Sequence, residues 1–297
     1  MNPKPLRERF FSIPRPADWI SPMTVCIAGI SQGNTLIAVC DMMVSTGEFS
    51  ADNMALKFRD IHNDWKAMFA GNDITQIAPL LEKAKRRLDG SKTRELNEVE
   101  NVMRQCFQEE LIRKQNDLVL ARYGLNMQSF LDTGLNRFGE AVFTSMKYQL
   151  DQVSLACEFL VFGMDKSRIA HIFTVEDPGI VSNHDLYGFW AIGSGANRAL
   201  SSLFFQQYRT SILEWEAIYY IAEAKFMAEG GSVGADSLII IYRQDGGSVG
   251  SLKLDLLKAL WKKSGRPKLP NRTEEIVAQS LREEFFVLSE PDAKPAQ

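Results

Sequence analysis

The sequence is poor in the residues that build crosslinks and metal centres. Its 297 residues hold 4 cysteines and 3 histidines. Cys26, Cys40, Cys106 and Cys157 show no paired spacing. That argues against a disulfide framework and reads as buried, reduced thiols of a cytoplasmic protein. His62, His171 and His184 lie far apart, with no cysteine or carboxylate at ligand spacing. A zinc site and a histidine-based triad therefore lack support, and no metal or cofactor is expected. No apolar run approaches the roughly 18 residues a membrane span needs. An excess of one charge is missing too: 34 Lys+Arg stand against 37 Asp+Glu, a net charge of -3. "KAKRRL" at 83–88 reads as the solvated face of a helix, so nucleic acid is not an expected partner. The first 22 residues carry five prolines and no apolar block of signal-peptide type.

What is present is an ordinary globular composition, 45% hydrophobic and 24% charged, enough for a sizeable core. "TVCIAGI" (24–30) and "NTLIAVCDMMVS" (34–45) read as strands joined by the turn "SQGN". "KFRDIH" (57–62) and "WKAMFAG" (65–71) form a second hairpin around "ND". After Gly71 the period changes: apolar residues at 74, 77, 80, 81, 84 and 88 make a helical stripe ended by Gly90. Residues 92–152 read as one or two long helices with a break at Gly124. Strands return at 155–165 and 168–177, "DPG" is a turn, and "FWAIGSG" (189–195) is a strand running into a helix. A second helix, the buried strand "DSLIIIY" and two short helices near 252–263 and 273–285 complete the chain. Hairpins alternating with helix pairs predict an α+β fold, a four-layer αββα sandwich of two antiparallel sheets flanked by helices.

On these residues the chain resembles the proteasome-type N-terminal-nucleophile hydrolases. "IAVCDMMVSTG" is similar to their second strand, "KFRDI" to their Lys-Ile-Phe segment, "MFAG" to their Ala-Gly turn and "FWAIGSGANRAL" to their Gly-Ser-Gly helix start. "MTVCIAG" looks most like the ancestral bacterial β-type subunits, and in part like the peptidase of the bacterial two-component ATP-dependent protease, where Thr follows the initiator Met. The resemblance spans roughly 24–90 and 155–243. It implies a hydrolase domain over 24–243 with a helical insert at about 92–152, a C-terminal helical tail over 244–297, and an extension or mis-called start over 1–23.

Carried over singly, the resemblance makes Thr24 the nucleophile, Asp41 and Lys57 its charged partners, and Gly71 the oxyanion donor. Asp41, Lys57 and Gly71 lie 17, 33 and 47 positions after Thr24, each one more than in the family, so a single inserted residue explains all three. Ser194 would hold the amino terminus, with Glu229 and Ser232 in place of the family's second Asp and Ser. Met43, Val44, Ser45 and Phe69 would line an apolar substrate pocket. The chemistry needs these types. A threonine hydroxyl is a poor nucleophile, and its own α-amine, with a pKa near 7.7 to 8.0, can serve as base. A lysine ammonium favours the neutral amine and stabilises charge on oxygen, and an aspartate orients that lysine. Plainer readings stand beside these: Asp41–Lys57 as a strand-end ion pair, Ser194 as a helix N-cap, and Glu229 and Ser232 as a helix end before a glycine loop. The expected activity is hydrolysis of peptide or amide bonds in peptide or protein substrates. The expected assembly is a ring or helical homo-oligomer, with an ATPase as a further partner. The alternatives are a non-catalytic proteasome-like subunit and a small-amide hydrolase on the same fold.

Overall fold

The first two strands, β1 (Cys26–Ser31) and β2 (Thr35–Asp41), are buried along their whole length. Burial on both faces is why they read as continuous apolar runs rather than alternating ones. Gly33 (φ 74°) and Asn34 (φ 56°) make the tight turn between them. The computed structural model describes residues 24–42, 44–46, 49–51, 57–71, 74–89, 94–229, 233–234, 236–244, 248–250, 254–264 and 273–281.

The short pair β3 (Val44–Thr46) and β4 (Phe49–Ala51) comes next, then the hairpin β5 (Phe58–His62) and β6 (Trp65–Gly71). Three helices follow: α1 (Ile74–Leu88), α2 (Leu96–Gln115) and α3 (Met127–Asp151). Then come β7 (Cys157–Met164), β8 (Ala170–Glu176), β9 (Ile180–Asn183) and β10 (Phe189–Ile192). The chain ends with α4 (Ala196–Phe205), α5 (Glu214–Ala228), β11 (Ser237–Tyr242), β12 (Ser248–Gly250), α6 (Leu254–Ser264) and α7 (Thr273–Leu281).

Two five-stranded antiparallel sheets result, in the orders β10-β1-β2-β11-β12 and β5-β6-β7-β8-β9. Alternation along the strands sets the packing. Ile27, Val39, Ile239 and Ile241 face the helices after β10, in a core with Leu203, Ile221, Leu257 and Val277. Cys26, Ala28, Ala38 and Cys40 face Met68, Leu160, Phe162 and Ile172 of the other sheet. Phe159, Val161 and Phe173 turn the opposite way, onto Ile77, Leu81, Val99, Met103 and Phe107 of α1 and α2. The protein is therefore α+β, with two antiparallel sheets sharing a core and helices against their other faces, an arrangement compatible with the expected sandwich. Burying each of these Phe or Leu side chains contributes about 1.5–3 kcal/mol, which makes the three apolar layers the main source of stability.

The α2–α3 segment has a small core of its own, formed by Leu120, Leu125, Phe130, Met146 and Leu150. Gly124 (φ 66°) ends the turns after α2, and Asn126 caps α3 by accepting the Ser129 N–H. Gly139 (φ 75°, ψ 165°) interrupts α3. After residue 243, β12 joins the first sheet, and Leu257, Trp261 and Val277 are buried against α5. Three strands, β4, β9 and β12, were not expected. All three are short, and β9 has no fully buried residue, so none leaves an alternating pattern. No helix among the described residues is long and apolar enough to cross a membrane.

Candidate active site

Seven strands meet at one edge of the two sheets. The registers place Cys26 opposite Cys40 and Ile192, Ser237 opposite Asp41, Phe58 opposite Met68, and Gly71 opposite Cys157. β1 thus starts where β2 and β10 end, and β5 and β7 start where β6 ends. The Cys26 thiol donates to Phe69 O at 3.6 Å and joins the two edges. Thr24 lies two residues before Cys26, and Gly71 two residues after Phe69.

At this edge Thr24, Asp41 and Lys57 are 4%, 0% and 3% exposed. Lys57 Nζ donates to Thr24 Oγ1 at 2.6 Å and to Asp41 Oδ1 and Oδ2 at 3.0 and 2.9 Å. Val25 N–H also donates to Asp41 Oδ1, at 2.9 Å. A buried carboxylate and ammonium are stable only when paired and hydrogen-bonded, and here each side satisfies the other. Besides that pairing, the ammonium is aimed at a hydroxyl. A cation 2.6 Å from Oγ1 stabilises negative charge developing on that oxygen.

The backbone of Thr24 is gripped by the turn after β10. Thr24 N–H donates to Ser194 Oγ at 3.2 Å, Gly195 N–H donates to Thr24 O at 3.1 Å, and Ser194 Oγ lies 3.4 Å from Thr24 O. The N-cap of α4 is Gly195, so the Ser194 hydroxyl serves Thr24 rather than the helix. Gly193 adopts φ +91°, and a Cβ there would sit 2.4 Å from Thr24 O. Gly193→Ala is therefore expected to displace the turn and to cost at least about 1–3 kcal/mol. A urea unfolding midpoint measured beside wild type checks this.

A comparison with protein-family models finds no match, and a comparison with curated proteins finds none either.

The remaining expected positions divide. Gly71 ends β6 at this edge, but a Cβ there would meet Cys157 Cβ at 2.7 Å and Ala156 O at 3.1 Å. The glycine is thus required by the close approach of β7, a reason the sequence did not suggest. Glu229 caps the C-terminus of α5, and its carboxylate is held by Lys225 and by Lys258 of α6, the latter at 2.6 Å. Phe69 is buried in the core under α1 and α2. Met43 and Ser232 lie outside the described residues, as do the side chains of Val44 and Ser45, which begin β3.

Cys26 lies two residues from Thr24, but burial pushes its thiol well above the usual range, and burial raises that of Cys40 to about 12. Both stay protonated and inert. Sequence reasoning missed Glu158, a lone acid in the apolar strand β7. Its Oε1 accepts Gly193 N–H at 2.6 Å, and burial raises its pKa against the pull of that bond.

The histidines also differ from expectation. The fold brings Asp185 to 2.7 Å from His171 Nδ1 and Asp165 to 3.5 Å from Nε2. No group of three or more His, Cys, Asp or Glu among the described residues could hold a metal ion. Burial works against the His171 cation, yet the bonds and charges of Asp185 and Asp165 outweigh it and raise the pKa. His184, buried against Trp190, is pushed down to about 4. In an NMR titration His171 is expected to stay charged above the ordinary imidazole midpoint, and His184 to stay neutral down to about pH 4. The stabilisation from the charged His171 is complete below about pH 6.5 and is lost as pH rises through its raised folded-state pKa. Stability of His171→Gln, measured against pH, should lack that decline.

Proposed function

We propose that this chain is an N-terminal threonine hydrolase of the proteasome type, cutting peptide or amide bonds with Thr24 Oγ1. The observation that carries the reading is Lys57 Nζ, 2.6 Å from Thr24 Oγ1 and held by both oxygens of Asp41 in a buried site. The two facing sheets with helices outside them support the N-terminal-nucleophile sandwich as the fold class.

In this reading Thr24 is the first residue of the mature chain. Its free α-amine takes the hydroxyl proton, Oγ1 attacks the carbonyl carbon, and the Gly71 N–H receives the oxyanion. Collapse of the intermediate breaks the C–N bond, and the leaving amine takes the proton. Water then hydrolyses the Thr24 ester. Lys57 lowers the cost of charge on Oγ1, Asp41 orients Lys57, and the Gly193–Gly195 turn fixes the threonine backbone. Asp41 and Lys57 alone supply no base for Oγ1, so an exposed α-amine is essential. Initiation at Met23 followed by methionine removal would supply it. A cytoplasmic homo-oligomer, ring or helical, with an ATPase feeding it peptide or protein substrates, completes the proposal.

The test is intact mass with N-terminal sequencing of untagged protein from its native host, followed by a threonine-directed covalent inhibitor. A chain starting at Thr24 that carries the adduct on Thr24 supports the enzyme. A chain that keeps residues before Thr24 and forms no adduct overturns it in favour of a non-catalytic proteasome-like subunit. Assay of peptide amides beside small metabolite amides separates the peptidase from a small-amide hydrolase.

A further inference from the structure

Glu158 is a carboxylate where an apolar residue would fit. Its neighbours on the same face of β7, Leu160 and Phe162, lie in the core between the two sheets, and so does Ala70, its partner across the ladder. Placing a carboxyl there costs desolvation energy unless a donor meets it. The donor is Gly193 N–H, 2.6 Å from Oε1, on the other sheet and 35 residues along the chain. Gly193 follows the last residue of β10 in a left-handed turn that Ala196 N–H closes onto Gly193 O at 2.9 Å. The Gly193 N–H points out of that turn, and Glu158 fixes it. The same turn carries Ser194 Oγ and Gly195 N–H, both bonded to Thr24. Glu158 also stands beside Gly71, because Gly71 and Cys157 are register partners at the start of β7.

We propose that Glu158 is a positioning residue of this site, pinning the Gly193–Gly195 turn to β7 so that the threonine held by one sheet stays in register with the Gly71 end of the other. The claim rests on the reading of Thr24 as nucleophile for its kinetic consequence, but not for its structural one. A turn free to shift by about an ångström would displace Oγ1 from Lys57 and from the oxyanion donor, a misplacement worth on the order of 100-fold in rate.

The experiment compares wild type, E158A, E158Q and T24A, each started at Met23 so that methionine removal exposes the α-amine of residue 24, and purified in parallel. Each is measured for kcat and KM on a peptide amide and for amide hydrogen exchange over residues 193–199. E158A should lower kcat on the order of 10- to 100-fold, with KM within about threefold. E158Q keeps an oxygen acceptor for Gly193 N–H and should recover most of that loss. Exchange over the turn should rise in E158A and stay near wild type in E158Q. Wild-type kcat and exchange in E158A would overturn the proposal. So would an E158Q defect as deep as that of E158A, which would mean the charge, not the tether, matters. If wild type hydrolyses no faster than T24A, the enzyme reading fails and hydrogen exchange alone decides the tether. If E158A does not fold, exchange in E158Q and E158D decides it: a protected turn in E158Q with a loosened one in the shorter E158D supports the tether, and an equally protected turn in both overturns it.

Discussion

Thr24→Ala should reduce hydrolysis to background, a loss on the order of 10⁴- to 10⁶-fold, as expected when the attacking atom itself is removed. The fold should survive. The substitution removes one acceptor of Lys57 Nζ, while both Asp41 oxygens and the backbone bonds from Gly195 and to Ser194 remain. A melting temperature close to wild type, together with lost turnover and no covalent adduct, is the expected pattern. Thr24→Ser should retain activity, because it preserves the hydroxyl and the α-amine. Residual turnover in T24A comparable to wild type would remove Thr24 from the chemistry.

Lys57→Ala is expected to have two large effects at once. It leaves the Asp41 carboxylate, 0% exposed, without its ammonium, and unpairing a buried charge costs about 3–5 kcal/mol. It also removes the donor to Thr24 Oγ1, and losing such a donor typically costs about 10²–10³ in kcat. Urea unfolding and turnover at a temperature where the variant is fully folded measure the two separately. The double variant Asp41→Asn with Lys57→Met replaces the ion pair by neutral groups of similar size. It should regain much of the stability and none of the activity. Recovery of turnover in the double variant would show that the pair is structural only.

Thr24, Asp41, Lys57 and Ser194 were singled out by the family resemblance and its spacing, not by any local period, and the structure brings all four together. The hairpins and the helix stripes were readable from the local period and the turn residues. Glu158 was not, because nothing in "CEFLVFGM" says that its carboxylate meets a peptide N–H on another sheet. His171 acquired Asp165 and Asp185 in the same non-local way. Glu229 matched a spacing, yet its closest charged partners are Lys225, one helical turn away, and Lys258, on a helix that no local pattern ties to α5. Gly71 was readable as a glycine requirement, but its cause, the approach of Cys157 and Ala156, needed the packed sheet.

The bonds around Thr24 differ greatly in how far along the chain they reach. Asp41 and Val25 belong to the two arms of one hairpin, which can close within about 1–10 μs. Lys57 is 33 residues from Thr24, and Ser194 is 170 residues away. Such distant contacts form late, since chain entropy must be lost before they contribute. A growing or partly folded chain is therefore expected to hold a hydroxyl near a carboxylate, with neither the ammonium nor the clamp in place. On the proposed mechanism, the order of folding would itself keep Thr24 Oγ1 idle until both sheets have docked.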